Sequence, residues 1–219
     1  MTNRSPPRMR DLPAPRHNPS VIGPLFRWVF QWPYRWALAG LYRVGFRAWH
    51  LTALSLVANV VVGVLLLTGR RLLPGLLLIP AGLLDVFDGG IARLRGEESR
   101  KGALLDSVVD RLSDGIVFGC LFVAQATVRQ ETATAALALS AMLVSLLVSH
   151  VRAEGEAAGL QLAEGSIQRL ERYVALVLGL AIPGLLLPVL AILTALGAVT
   201  TLQRLLAAWR GLAPSEARR

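Results

Sequence analysis

Six apolar runs dominate this sequence, at roughly 52–68, 72–94, 103–128, 133–151, 173–185 and 187–208. Most approach the ~20 residues that a helix needs to cross the hydrocarbon core of a bilayer. Lipid offers the backbone no hydrogen-bond partner, so runs of this kind fold as helices. The pattern therefore predicts an all-α, polytopic membrane protein with six transmembrane helices. The fifth run is short and closes at Pro183-Gly184. It reaches spanning length only if the polar stretch before it continues the same helix. Composition agrees: 54% of the 219 residues are hydrophobic and the mean hydropathy is +0.53, too apolar for an ordinary soluble domain.

Two segments precede the runs. Residues 1–20 are rich in Arg and Pro without an apolar core, and read as a disordered basic tail rather than a signal peptide. Residues 21–47 interleave Trp28, Trp32, Trp36 and Tyr34 with Arg27, Arg35 and Arg43. The tryptophans recur every four residues and the arginines every eight, so each set can share a helical face. This predicts an N-terminal amphipathic helix in the membrane interface, interrupted near Pro33. Residues 48–210 then form one six-helix domain and 211–219 a C-terminal tail.

The net charge of +9 is almost wholly arginine, with Lys101 the single lysine. The arginines cluster at the ends of apolar runs, which favours anionic lipid as their partner and argues against nucleic acid. Eight of them precede the first run. Arg93, Arg95, Arg100 and Lys101 lie between the second and third, and Arg152, Arg169 and Arg172 between the fourth and fifth. Arg204, Arg210, Arg218 and Arg219 sit at the C-terminal end, against Arg70, Arg71 and Arg129 on the other side. The positive-inside rule then places both termini on the cytoplasmic side of a bacterial-type cell membrane. Cys120, the single cysteine, falls inside an apolar run and reads as a small core residue.

Within this apolar frame stand Asp85, Asp88, Asp106 and Asp110. A carboxylate at membrane depth costs several kcal/mol unless it is compensated. Asp85 and Asp88 are three apart and Asp106 and Asp110 four apart, so each pair projects from one face of its helix. The short polar stretch 94–101 folds the two helices into an antiparallel hairpin, and the pairs converge at the cytoplasmic end. Such a cluster needs cations between its members, and oxygen-only ligands suit Mg2+ or Mn2+. Gly89, Ala92 and Gly102 leave space for a ligand beside the acids, and Arg93 supplies a cation for phosphate. Metals, cleared space and a cation together describe a seat for a diphosphate.

The pattern Asp85-x2-Asp88-Gly89-x2-Ala92-Arg93-x8-Gly102-x3-Asp106-x3-Asp110 resembles that of the CDP-alcohol phosphatidyltransferases. The resemblance implies a six-helix fold over most of residues 20–210. It implies transfer of a phosphatidyl group from a CDP-activated lipid, usually CDP-diacylglycerol, to an alcohol, with release of CMP. By resemblance, the four aspartates hold two divalent ions, and Gly89, Ala92, Arg93, Gly102 and Thr52 bind the donor. Asp110 takes the proton of the acceptor hydroxyl.

The segments 110–118, 152–160 and 169–172, with Gln203-Arg204-Leu205, are similar to the bacterial phosphatidylinositol-phosphate synthase branch. That branch implies inositol 1-phosphate as acceptor, its phosphate bound by Arg152, Arg172 and Arg204. Two departures stand out. Glu154 occupies a position that is basic in the branch, unless a shifted register places Arg152 there. Ala48-Trp49 replaces a Pro-Asp or Pro-Asn pair. Glycerol 3-phosphate is the alternative acceptor, and a divalent-cation transporter the alternative outside enzymes. Asp114 either extends the site or caps the polar end of the bundle. His50 and His150 read as structural residues. Small residues on helices three, four and six read as packing surfaces, with room among them for a homodimer seam.

Overall fold

The structure is a computed structural model that describes residues 23–160, 162 and 169–216. The tail expected at residues 1–20 lies outside the described residues. Seven α-helices follow in order: α1 (Gly23–Val44), α2 (Ala48–Leu67), α3 (Leu72–Arg95), α4 (Arg100–Val123), α5 (Thr132–Ala157), α6 (Arg169–Ala181) and α7 (Leu186–Glu216). The fold is all-α, and each of the six apolar runs supplies one helix from α2 to α7.

Among the described residues, four helices are long and apolar enough to cross a membrane: α2, α3, α5 and α7 over Leu186–Leu212. Only 28–39% of their most apolar windows is buried inside the protein, so most of each window faces outward, where lipid would cover it. Helix α4 has the length but carries Arg100, Lys101, Asp106, Asp110, Arg111 and Asp114. Helix α6 has 13 described residues, fewer than a span requires. Helix α1 runs through Pro33 without a break. Pro33 is exposed, on a face where the carbonyl freed by its missing N–H can meet solvent or headgroups. Helix α7 continues to Glu216, beyond the residue 210 boundary expected from sequence. At Gly211 it has no side chain where Leu160 approaches, with a Cβ there only 2.9 Å from Leu160 Cδ2.

The chain packs as two compact units. One comprises α1, α2 up to Ala58, α3 from Pro80, and α4 up to Asp110. Its core is Tyr34, Leu38, Leu51 and Ile91, with Phe46, Leu84, Phe87 and Leu94 around them. Residues Phe87, Ile91 and Leu94 recur at three- and four-residue spacing and form the face of α3 that meets this core. The opposite face of the same helix is left for Asp85, Asp88, Gly89 and Ala92. Ser55 Oγ donates to the Ala81 carbonyl at 3.2 Å, a helix-to-helix bond inside the unit.

The α3–α4 hairpin is set by its capping residues. Gly96 adopts φ +65°, and Glu97 N–H returns to the Ala92 carbonyl at 2.9 Å, ending α3 in the left-handed turn that glycine permits. Three residues later Ser99 Oγ accepts the Gly102 N–H at 3.1 Å and caps the start of α4. His50 acts similarly at α2, its Nδ1 accepting the Arg47 N–H at 3.1 Å. This agrees with the structural role expected for it.

The other unit comprises the rest of α2, α3 and α4, with α5, α6 and α7. Val62, Leu66, Leu78, Phe118, Leu121, Leu176 and Leu190 lie in its core. Glycines bring its helices close: a Cβ at Gly63 would lie 2.8 Å from Ile116 and 3.0 Å from Cys120 Sγ. Cys120 is thus a packing residue. A π-helical turn, Ala124–Val128, ends α4. Beside it Arg71 Nη2 donates to Gln125 Oε1 and to Glu131, each at 2.7 Å, and Arg129 pairs with Glu131 at 3.2 Å. Two of the three arginines that dissent from the positive-inside pattern are therefore tied to a carboxylate.

Candidate active site

The hairpin brings three of the four aspartates together. Asp85, Asp88 and Asp106 each offer a carboxylate oxygen within 4.8 Å of the others. That trio does not include Asp110, which follows Asp106 by one turn of α4. Asp88 is 5% exposed, and Thr52 Oγ1 donates to its Oδ2 at 2.7 Å. Burial of a carboxylate with one hydroxyl bond leaves most of its charge uncompensated, which a bound cation would answer. Three hard oxygen donors at this spacing fit a divalent ion such as Mg2+ or Mn2+.

A cavity of about 470 Å³ opens beside these acids, with Thr52, Asp88, Gly89, Ala92, Gly102 and Asp106 in its wall. Four of the five residues expected at the donor, Thr52, Gly89, Ala92 and Gly102, thus border one space. A Cβ at Gly89 would meet only Arg93 Nη1, at 3.6 Å, and one at Gly102 only Ser99 Oγ, at 3.2 Å. Protein packing does not demand glycine at Gly89, and at Gly102 only the Ser99 hydroxyl would have to give, so the space they leave is available to a ligand. Arg93 is absent from the cavity lining and folds back along α3 beside Gly89. Ala48 and Trp49, the departing pair, both line the cavity, with Trp49 56% exposed.

The arginines near the hairpin have other work. Arg95 lies over the Tyr42 ring, 4.7 Å from its centroid, and donates to the Tyr42 carbonyl at 3.2 Å. Arg111 donates to the Ser149 carbonyl at 3.2 Å.

The three arginines expected at the acceptor fall within the second unit and differ among themselves. Arg172 and Arg204 are buried, 8% and 6% exposed. Arg172 Nη2 pairs with Asp114 Oδ2 at 2.7 Å, while its Nε is buried without a hydrogen-bond partner among the described residues. Arg204 Nη1 donates to the Val148 carbonyl at 2.8 Å and lies within electrostatic reach of Arg152 and Arg172. Arg152 is more exposed and pairs with Glu156 at 2.8 Å. Glu154 is exposed, as is His150.

Asp114 emerges as the anion of this group. It is 4% exposed and also accepts Ser145 Oγ at 2.6 Å. Its position in sequence, four after Asp110, does not reveal that its partner comes from α6, 58 residues on. Tyr34 also escapes sequence reasoning, because it sits among tryptophans whose pattern speaks for an interface. A signal existed: Tyr34 and Leu38 are four apart and offset from Trp32 and Trp36, so they belong to the inward face.

Comparison with known proteins agrees with this geometry. The family profile described as CDP-alcohol phosphatidyltransferase matches residues 47–209. The phosphatidylinositol phosphate synthase of Mycobacterium marinum is 32% identical over 179 residues, 78% of this chain and 76% of the relative. The archaetidylinositol phosphate synthase of Methanothermobacter thermautotrophicus is 35% identical over 150 residues, 66% of this chain and 74% of the relative. The crystal structure of Mycobacterium tuberculosis phosphatidylinositol phosphate synthase with CDP-DAG bound superposes with a TM-score of 0.72 at 30% identity. That match covers 79% of this chain and 92% of the other. A second structure of that enzyme, in complex with manganese and citrate, matches equally well, with a TM-score of 0.72. A profile spanning α2 to α7 and relatives aligned over most of their length make the chain a membrane transferase that belongs to the CDP-alcohol phosphatidyltransferase family.

Proposed function

We propose that this protein transfers a phosphatidyl group from CDP-diacylglycerol to inositol 1-phosphate, giving phosphatidylinositol phosphate and CMP. One observation carries the reading: Asp88 and Asp106, two of the three clustered carboxylates, line a cavity whose glycine wall is open to a ligand. The names of the relatives support the headgroup. They differ in lipid, phosphatidyl against archaetidyl, and share inositol phosphate.

The donor diphosphate occupies the cavity, with Gly89, Ala92 and Gly102 giving room and Thr52 fixing the Asp88 carboxylate. Asp85, Asp88, Asp106 and Asp110 would hold two divalent ions, Mg2+ or Mn2+. Bound there, the ions neutralise the charge of the diphosphate and of the departing CMP. Asp110 accepts the proton of the inositol hydroxyl as that oxygen bonds to the phosphorus carrying diacylglycerol. The bond from that phosphorus to the CMP oxygen breaks, and CMP leaves with the electron pair. Arg172 and Arg204, with Arg152 at the surface, bind the acceptor phosphate. Buried guanidinium groups with an unpartnered N–H suit a dianion, and Arg172 Nε is such a group.

We propose the following membrane arrangement on the same reading. Helices α2 to α7 cross the bilayer six times, α1 lies in the interface, and the site and both termini face the cytoplasm. Loop arginines and the outward-facing Trp32 and Trp36, 63% and 69% exposed, support this placement.

The test is CMP release by purified protein in detergent, given labelled CDP-diacylglycerol, Mn2+ or Mg2+, and either inositol 1-phosphate or glycerol 3-phosphate. Release with the inositol acceptor alone is expected. Release with glycerol 3-phosphate alone would overturn the acceptor, and no release with any alcohol phosphate would overturn the reaction.

A further inference from the structure

The Tyr34 hydroxyl is a polar group in an apolar place. Tyr34 is 4% exposed, and its ring stacks on Phe87 with centroids 5.2 Å apart and planes 9° from parallel. The hydroxyl lies directly over the backbone of Gly90. A Cβ at Gly90 would collide with it and come within 2.9 Å of Leu38 Cδ1. Yet the hydroxyl has no hydrogen-bond partner among the described residues. Phenylalanine would fill this pocket and stack on Phe87 without burying an oxygen, so packing alone does not account for tyrosine.

Electrostatics point to its neighbour. Burial pushes the phenol above its ordinary pKa, while the charge of nearby Arg93 pulls it down. The phenol is therefore neutral at physiological pH, with a lone pair to offer a guanidinium. Arg93 is placed to take it: its Nη1 lies 3.6 Å from where a Gly89 Cβ would stand, so its head group is folded along α3 beside the cavity wall. The face of α3 that carries Phe87, Gly90 and Ile91 packs on α1, and the face with Asp88, Gly89 and Ala92 borders the cavity. Arg93 is the residue within reach of both.

We propose that Tyr34 is a positioning residue for the donor: its unpartnered hydroxyl is the acceptor that an Arg93 N–H takes when the donor diphosphate enters, fixing the guanidinium against it. The proposal rests on the donor reading of Arg93 given above. Its physical content is preorganisation. A free arginine head must be ordered when the donor binds, and an acceptor already fixed beside it lowers that cost. Gly90 is required because a hydroxyl cannot reach across α3 over a side chain. Helix α1 thus contributes to the site from behind the hairpin, through a residue outside the aspartate pattern.

The decisive variant is Tyr34→Phe, which keeps the ring and its stack on Phe87 and removes only the oxygen. The expected result is a rise of about tenfold in the KM for CDP-diacylglycerol, with kcat and the acceptor KM within twofold of the parent. The dissociation constant of CDP, measured by calorimetry on the detergent-solubilised protein with Mn2+, should weaken by the same factor. In an Arg93→Ala background, which itself raises the donor KM, Tyr34→Phe should add nothing. Gly90→Ala, which retains the hydroxyl but displaces it, should reproduce the donor defect. A Tyr34→Phe protein whose donor KM and CDP affinity stay within twofold, while Arg93→Ala weakens both, would overturn the positioning role alone. Full additivity of the two substitutions would overturn it as well. An Arg93→Ala protein with unchanged donor KM would overturn the donor reading of Arg93 and this inference together.

Discussion

Replacing Asp114 with asparagine tests the buried pair at its most sensitive point. Asp114 and Arg172 bury more than nine-tenths of their side chains and meet at 2.7 Å. At that separation and an effective dielectric of about 20, their attraction is roughly 6 kcal/mol. Desolvation of two charges offsets much of it, so the pair itself adds little to stability. Breaking it is another matter, because Arg172 would stay charged and buried within reach of Arg204. Removing one member of a buried pair costs about 3–5 kcal/mol. Asparagine keeps the volume and can still accept from Ser145, so the expected loss is about 3 kcal/mol. Equilibrium unfolding in mixed detergent micelles measures it. Inositol 1-phosphate, or inorganic phosphate at high concentration, should restore part of the loss by supplying the missing negative charge. The double variant Asp114→Asn/Arg172→Met should be more stable than Asp114→Asn alone, since no orphaned charge remains. An Asp114→Asn protein within 0.5 kcal/mol of the parent, with no response to phosphate, would refute the reasoning; that interval is about the size of an ordinary surface substitution effect.

Asp106→Asn should lower CMP release by about a thousandfold or more, with the helical content unchanged by circular dichroism. Mn2+ binding followed by electron paramagnetic resonance should weaken in parallel, because one hard oxygen ligand becomes neutral. Hydrogen bonds from Arg71, with further help from Arg129 and Thr134, outweigh burial and hold the Glu131 carboxyl below its ordinary value of 4.5. A folded-state value below the unfolded one stabilises the fold fully above the unfolded value and fades as pH falls through the folded value. The gap in unfolding midpoint between the parent and Glu131→Gln should therefore be constant from pH 8 to about pH 5 and close as the pH falls below about 4. Gly63→Leu should lower the unfolding midpoint by an amount worth about 1–3 kcal/mol, because Ile116 and Cys120 already occupy the space beside the glycine.

The all-α fold and the hairpin of aspartates are legible in the sequence because both are local. Apolar length reports a helix, and spacings of three and four report a shared face. Glu97 and Glu98 lie between a glycine stop and a serine cap, so even the turn is written in adjacent residues. What joins distant segments is not legible. Ser145 and Arg172 reach Asp114 across 31 and 58 residues, and no periodicity encodes that meeting. The arginines at 152, 172 and 204 look alike in sequence, yet one is exposed and two are buried, because burial depends on which neighbours cover each helix. Tyr34 fails to announce itself for a related reason. Its role depends on Gly90, whose meaning appears only when α1 lies over it. Sequence places the span of α4 by its apolar C-terminal half, whereas its charges exclude it from the clearly spanning set.

Three adjacent features of α3 and α4 respond to opposite kinds of experiment. Gly90 is a glycine because protein fills the space above it, so enlarging it disturbs the fold with or without substrate. Gly89 and Gly102 are glycines with nothing protein-made above them but Arg93 Nη1 and Ser99 Oγ. A methyl group at Gly89 makes only an ordinary contact with Arg93 and one at Gly102 asks Ser99 Oγ to give by a few tenths of an ångström, so on the proposed function the larger obstacle is the nucleotide. Mutational maps of such a pocket that score expression or thermal stability will pass over those two positions as neutral. Maps built by truncating side chains will miss them too, since there is nothing to truncate. On the proposed function these two positions are reserved space, and only screens that add atoms while the ligand competes for the same volume will detect them.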